Sequence, residues 1–206
     1  MKELAGVVMA EEYIIKPKTK RGEATVEKII DAAAAVFYEK GFHGGSIADI
    51  THRAGVGNGT FYIYFDSKIS VYRYLLVEYG KRIRAKCNQA IAGCKDRREA
   101  ERLGIRSFFE FVLEDQGLFN IVWESLYIDK SLFDDFYTRF ANSYVARLKQ
   151  AQLEGEVREM DPRVLSYVLI GITNFVALNS LVLKEEHNID YLVDEVMKVL
   201  EHGMFT

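Results

Sequence analysis

Apolar residues recur at helical spacing along most of the chain. Between Thr25 and Gly41, the residues Ile29, Ile30, Ala33, Val36 and Phe37 fall three and four apart. That spacing predicts a helix with Thr25 as its N-cap and Gly41 just past its end. Ser46 then opens a short helix with Ile47 and Ile50 inward, stopped by Gly55. The next stretch, Gly57-Asn58-Gly59-Thr60-Phe61-Tyr62-Ile63-Tyr64-Phe65, is ambiguous. By local propensity Thr60 to Phe65 reads as a strand entered through an Asn58-Gly59 turn. The segment upstream is helical, however, and offers no partner strand. A short helix is the alternative, with Phe61 and Phe65 on one buried face and Gly59, Thr60, Tyr62 and Ile63 mostly outward. Beyond Lys68 a long helix runs toward Gly93. Helical patterns follow at about 96–114, 117–128, 130–154, 162–184 and 189–203. Pro162 suits the first turn of its helix, with Asp161 as cap.

Composition agrees with an all-α chain. Only Pro17 and Pro162 break 206 residues, and turn dipeptides are too sparse for a β-sandwich of this size. Cys87 and Cys94, seven apart on one helix, would stand about 10 Å apart at 1.5 Å rise per residue. A disulfide needs less than about 7 Å, so two separate thiols in a reducing cytoplasm are expected. The apolar run Leu4 to Ala10 is followed by Glu11 and Glu12 and not by a small-residue cleavage site, so no secretory leader is expected. The run Val168 to Leu183 contains Thr173, Asn174, Asn179 and Ser180 and falls short of about 20 apolar residues. It reads as a buried helix, with no membrane partner.

The net charge of −3 argues at first against a nucleic-acid partner, but the average hides a split. Residues 16–86 hold 13 Lys and Arg against 7 Asp and Glu, whereas residues 87–206 hold 13 against 20. A basic module on an acidic body is the electrostatic footprint of polyanion binding. Lys16, Lys18, Lys20 and Arg21 crowd around Pro17 with no apolar period. They read as a flexible arm over residues 1–22 that tracks phosphates or enters a minor groove, or as a plain solvated tail.

Gly55-Val56-Gly57-Asn58-Gly59 matches part of a dinucleotide-binding fingerprint, but that pattern needs a preceding strand and here follows a helix. The stretch from Ser46 through Gly55-Val56-Gly57-Asn58-Gly59-Thr60-Phe61-Tyr62-Ile63-Tyr64-Phe65 to Lys68 instead resembles the DNA-binding module of TetR-family transcriptional regulators. Ile29-Ile30-Asp31-Ala32-Ala33 and Phe37-Tyr38-Glu39-Lys40-Gly41-Phe42 resemble that family's first helix at the proper distance. The likeness covers about 25–75. Thr51 stands where the family usually has Ala, and Gly57 where Ser or Thr usually caps the recognition helix. The resemblance implies a three-helix DNA-binding domain with a helix-turn-helix at 23–70. It also implies a larger helical effector-binding and dimerisation domain at 71–206.

A helix-turn-helix lays its second helix in the major groove. Gly59, lacking Cβ, permits close backbone approach. Asn58 and Thr60 are short polar groups near the helix start, and Asn pairs bidentately with adenine. The resemblance implies that Tyr62 and Tyr64 contact bases or phosphates and that Lys68 holds a phosphate. Ser46 would present a hydroxyl and free N–H groups to phosphate. Ile63 points outward, toward a thymine methyl or a packing partner.

The body is rich in aromatics, most of them ordinary core. The resemblance implies an effector pocket among its helices, whose occupation shifts the long linking helix. Phe109, Trp123, Tyr127, Phe140 and Tyr144 are the candidate lining. Asn174 is either a polar handle there or a bond across a dimer seam. This lining points to a small apolar or aromatic effector. Residues 154–184 also resemble regulators that answer acyl-CoA. The last two helices carry more apolar surface than one subunit buries, and the family pairs them across a two-fold axis, which implies a homodimer on palindromic double-stranded operator DNA. His43, His52, His187 and His202 lack metal-ligand spacing. No GxSxG elbow, P-loop or HExxH is present, so neither an enzyme nor a cofactor is expected. The sum is a cytoplasmic, ligand-responsive regulator, read as a repressor.

Overall fold

The structure is a computed structural model and describes residues 10–184 and 188–204. The apolar run from Leu4 lies outside the described residues up to residue 9, as does His187. Among the described residues every regular element is helical. After a 3-10 turn at Ala10–Tyr13 come α1 (Lys20–Gly44), α2 (Ile47–Ala54), α3 (Asn58–Tyr64), α4 (Lys68–Ala90), α5 (Arg97–Glu114), α6 (Gln116–Ile128) and α7 (Lys130–Leu153). The chain ends with α8 (Pro162–Val176), continued by a π-helical segment at Ala177–Leu183, and α9 (Ile189–Gly203). The chain forms two compact units, one of residues up to Gly80 with Gly117–Phe136, the other of Lys81–Gln116 with the chain from Tyr137 onward.

The first unit is built on α1. Its N-cap is Thr19, whose side chain accepts the Gly22 N–H, so the helix starts a turn and a half before the expected Thr25. Residues at the end of the expected arm are therefore structured. Ala10 is buried, the Ile15 N–H donates to the Tyr64 carbonyl at 2.8 Å, and Lys20 to Gly22 are helical. The sequence pattern concealed this because the first turn is polar and carries no apolar period. At Gly41 the helix turns a corner with φ 68° and ψ 170°, a region essentially open to glycine only. Val26, Ile29, Ala33, Val36 and Phe37 face inward. Phe37 and Phe42 meet Tyr72 of α4 edge-on, with ring centroids 5.3 and 5.1 Å away. The Tyr72 hydroxyl donates to the Ile121 carbonyl of α6 at 2.6 Å, and the Phe42 N–H donates to Glu124 Oε1 at 2.7 Å. Arg73 pairs with Asp129 at 3.1 Å. Segment 117–136 is thus fastened to α1 and α4 by polar contacts as well as by packing.

The ambiguous stretch is the helix α3. Burying Phe61 and Phe65 completely, with ring centroids 5.7 Å apart, satisfies its one apolar face, and among the described residues no strand stands by to pair with it.

In the second unit α5 packs on α9, on α8 and on the π-helical segment. Ile105, Phe108, Phe109 and Val112 of α5 are buried, as are Leu192, Val193, Val196 and Met197 of α9. Ion pairs from Arg102 to Asp194 and from Arg106 to Asp190 flank that contact. Asp161 caps α8, accepting from the Arg163 and Val164 N–H groups, with Pro162 in the first turn as expected. Pro162–Leu183 is long and apolar enough to cross a membrane, with mean hydropathy 1.7, and 39 % of that stretch is buried. The run expected to be a buried helix therefore keeps an open side, on which Val164, Val168, Phe175 and Leu183 stand exposed. Tyr191 and Val199 do the same on α9. Cys87 and Cys94 are both free thiols.

Candidate nucleic-acid interface and effector cavity

Helix α2 is held by a reciprocal cap. Ser46 Oγ accepts the Asp49 N–H at 3.1 Å, while the Asp49 carboxylate accepts the Ser46 N–H at 2.9 Å. The Ser46 hydroxyl also donates to that carboxylate at 2.5 Å. The Lys40 ammonium, 2.5 Å from Asp49, together with these donors holds the carboxyl well below the usual carboxylate range. The expected Ser46 hydroxyl contact to phosphate is corrected here, because Asp49 holds that hydroxyl and the Ser46 N–H, while the free N–H groups expected at the helix start remain. The donors left at this helix end are the first-turn N–H groups of Ile47 and Ala48, which have no intrahelical acceptor. Glu39 pairs with Arg53 at 2.6 Å, a second tie between α1 and α2.

Gly55, left-handed at φ 68°, ends α2 and turns the chain into α3. The α3 N-cap Gly57 makes no side-chain bond. Thr51 is buried, and its hydroxyl donates to Asn58 Oδ1 at 2.5 Å. The residue that departs from the family pattern thus locks the two motif helices together and fixes the Asn58 carboxamide. Gly57, Asn58 and Gly59 are exposed, Thr60 is half-buried, and a Cβ added at Gly59 would meet nothing within 4 Å. Tyr62 and Ile63 are 53 % and 56 % exposed. The outward side of α3 is therefore Gly59, Tyr62 and Ile63, with Asn58 exposed beside them but its Oδ1 held by Thr51.

Tyr64 and Lys68 are placed differently from the other expected contacts. Tyr64 is half-buried against the first turn of α1, where a Cβ on Gly22 would lie 3.1 Å from its hydroxyl. The Lys68 ammonium donates to the carbonyls of Phe42 and Gly45 at 2.6 and 2.7 Å and sits 4.4 Å from the Phe42 ring centroid. Two of its three donors serve the corner after α1.

The second unit holds a cavity of about 40 Å³ among α4, α5, α7 and α8. Of the expected lining it takes Phe140 and Tyr144, and the remainder is corrected. Phe109 is wholly buried in the α5 core and does not reach the cavity. Trp123 and Tyr127 belong to the other unit, where Trp123 stacks with Phe119 and Phe133 and Tyr127 is 84 % exposed. Asn174 spends its amide on the Ile170 carbonyl at 2.8 Å and accepts from the Tyr137 hydroxyl at 3.2 Å, and its neighbour Thr173 lines the cavity instead.

The cavity is also more polar than the sequence pattern indicated. Arg84, Cys87, Arg97, Glu101 and Arg147 line it beside Ile91, Ile105 and Phe108. Arg97 and Glu101 form a buried ion pair one helical turn apart, with the Arg97 guanidinium 5.5 Å from the Tyr144 ring centroid. Burial pushes the Glu101 carboxyl up against the opposing pull of Arg97, and pushes the Cys87 thiol up to about 11. Sequence reasoning missed this cluster by following aromatics. The signal was present, since Arg97 and Glu101 fall in register with Ile105, Phe108 and Val112 on the buried stripe of α5. Among the described residues no group of His, Cys, Asp and Glu is arranged to hold a metal ion.

Residues 29–75 match the bacterial regulatory proteins of the tetR family. The HTH-type transcriptional activator FasR of Mycolicibacterium smegmatis is 28 % identical over 101 residues, 49 % of this chain and 46 % of that protein. The chain thus aligns with less than half of that relative's length. YdgC, an uncharacterised HTH-type transcriptional regulator of Bacillus subtilis, is 24 % identical over 89 % of this chain and 94 % of its own. Among solved structures, the fatty acid degradation regulator FadR from Bacillus halodurans superposes with a TM-score of 0.78 at 24 % identity, covering 90 % of this chain and 96 % of that one. FadR from Bacillus subtilis in complex with stearoyl-CoA gives 0.75 at 22 % identity, over 85 % and 97 %. At these identities the solved structures establish the shared fold.

Proposed function

We propose that this chain, a TetR-family transcriptional regulator, is a ligand-released repressor that binds palindromic operator DNA as a homodimer. The observation that carries this reading is the outward side of α3, where Tyr62 and Ile63 are exposed beside a glycine with open space above it. A fold that leaves an aromatic and an aliphatic side chain in water on a seven-residue helix leaves them for a partner. Asn58, Gly59, Thr60 and Tyr62 are the proposed groove contacts. Ser46 starts the helix that abuts the backbone, Tyr64 sets α3 against the first turn of α1, and Lys68 ties the start of α4 to the end of α1. The basic balance of residues 16–86 supports the same partner.

The exposed apolar stripes of α8 and α9 support self-association through these two helices, giving two half-sites about 34–36 Å apart, one turn of DNA. The effector enters the cavity of the second unit. A small amphipathic molecule suits that lining better than a purely aromatic one, and the stearoyl-CoA found in the Bacillus subtilis structure makes acyl-CoA the first compound class to try. The proposed activity is binding rather than catalysis, at a cytoplasmic location. The test is duplex binding by gel shift across salt concentrations. A steep loss of affinity with salt is expected, and absence of binding to any promoter fragment at low salt overturns the reading. Tyr62→Ala is expected to abolish operator binding with the dimer intact. Normal binding by that variant refutes the groove placement.

A further inference from the structure

Three guanidinium groups converge on the cavity of the second unit, and the single carboxylate in its lining is Glu101. Arg97 is 8 % exposed and its Nε has no hydrogen-bond partner among the described residues. Among the described residues its side chain otherwise meets Glu101, in an ion pair, and the face of Tyr144. Arg84 has no ion pair among the described residues, although burial and the neighbouring Arg139 both disfavour its charge. Arg147 lies at the exposed mouth and, among the described residues, donates to the neutral Asn88 at 3.0 Å. The lining thus sets three guanidinium groups against one carboxylate, and the buried one, Arg97, keeps an Nε with no partner among the described residues, which prepares the cavity for an anion. The same Arg97 and Arg147 line an outer groove of about 500 Å³, so the buried site adjoins open surface from which a ligand arrives.

We propose that this cavity takes the oxyanion, carboxylate or phosphate, of an amphipathic ligand, which displaces Glu101 from the Arg97 guanidinium while the ligand's apolar part meets Ile105, Phe108 and Phe140. The inference rests on the effector reading above and adds the chemical class and the group that competes with it. Glu101 is a built-in placeholder. It neutralises Arg97 when the site is empty and must give way when the anion arrives. Displaced, it remains on a buried side chain, and the groups facing it are Arg97 on its own helix, Arg84 and Cys87 on α4, and Tyr144 and Arg147 on α7. With Arg97 claimed by the ligand, burial dominates and the carboxyl takes up a proton. Anion binding is thereby coupled to proton uptake and strengthens as pH falls.

The test is calorimetric titration of the full chain, without DNA, using octanoate, octanol, octanoyl-CoA and coenzyme A. Octanoate or octanoyl-CoA is expected to bind at least about tenfold more tightly than octanol, the uncharged chain of equal length. Between about pH 8 and pH 6.5, affinity for the anion is expected to rise toward about tenfold per pH unit, the limit for one proton taken up. Glu101→Gln keeps the shape and removes the competing charge. It is expected to tighten anion binding near pH 8 by about tenfold and to flatten the pH profile, a gain that misfolding does not produce. Arg84→Met, at a half-exposed position, is expected to weaken the anion by about tenfold without lowering the melting temperature. It carries the test if Glu101→Gln does not fold. Preference for octanoate identifies a carboxylate, and binding of both octanoyl-CoA and coenzyme A identifies a phosphate. Either supports the inference. Octanol binding as tightly as both anions, or a pH profile unchanged in Glu101→Gln, overturns it. The same ligands added to the operator complex separate the two readings. Anion binding that leaves DNA bound refutes the effector role and leaves the site standing. DNA release by octanol alone does the reverse.

Discussion

Replacing Lys68 with methionine separates two roles that the same residue is expected to play. The ammonium donates to two backbone carbonyls and lies over the Phe42 ring. Hydrogen bonds to a charged group contribute roughly 1.5–3 kcal/mol each, and a cation–π contact at a partly exposed site about 0.5–1 kcal/mol. Lys68 is half-exposed, so water recovers part of this when the ammonium is lost, and methionine retains the packing of the stem. A net loss of about 2–3 kcal/mol follows, below the roughly 3.5 kcal/mol at which the sum begins. The assay is urea unfolding followed by the fluorescence of Trp123, the single tryptophan, which lies in the same unit as Lys68. The companion measurement is the salt slope of operator binding by protein folded in buffer. A residue whose charge serves the fold leaves that slope unchanged, whereas loss of one phosphate contact lowers it by about one unit. Stability within about 0.5 kcal/mol of the parent, combined with a slope reduced by about one, refutes the bracing role.

Three further outcomes follow from the geometry. Gly41→Ala forces a side chain onto φ 68° and ψ 170° and places its Cβ 2.9 Å from Glu124 Oε1, so a loss of about 2–4 kcal/mol is expected in the same unfolding assay. Asp49 has its folded pKa depressed by Lys40 and Ser46, so its contribution is present above the unfolded carboxylate range and is lost as pH falls through the folded value. Asp49→Asn is accordingly expected to be less stable than the parent at neutral pH, with the gap closing in acid-titrated melts. Burial raises the Cys87 thiol to about 11 and leaves it little thiolate, so a disulfide reagent near pH 8 is expected to label Cys94 first, with mass spectrometry of digests assigning the order.

Periodicity carried the fold a long way. Apolar spacing and the scarcity of proline located the helices from residue 96 onward to within a few residues, because each has a clear buried stripe and a stop. It failed where the helix has no such stripe, as in the polar first turn of α1, whose start is marked only by Thr19 folding back on Gly22. The stretch Thr60 to Phe65 stayed open between strand and helix because its propensities favour a strand, and burial of Phe61 and Phe65 on one face decides for the helix α3. The cavity was less legible. A wheel of aromatics identifies apolar faces but does not say which faces meet, and Trp123 and Tyr127 turned out to serve another unit. The informative residues were Arg97 and Glu101, charges standing in register with a buried stripe, a placement that surface helices avoid. Long-range partners such as Glu124 for the Phe42 N–H, 82 residues apart, leave no local trace in the sequence.

The unit that carries α2 and α3 is assembled from two separate stretches of chain, since Gly117–Phe136 belongs to it as fully as the residues before Gly80. For evolution this is a linkage constraint. A crossover after the helix-turn-helix motif would hand a new body to the reader while discarding Tyr72's acceptor at Ile121 and Phe42's acceptor at Glu124. Exchange of sensors by recombination is viable only if the incoming gene brings its own compatible version of that inserted segment. Reader and α6 therefore have to diversify together, and substitutions at Phe42, Tyr72, Ile121 and Glu124 should be inherited as a set.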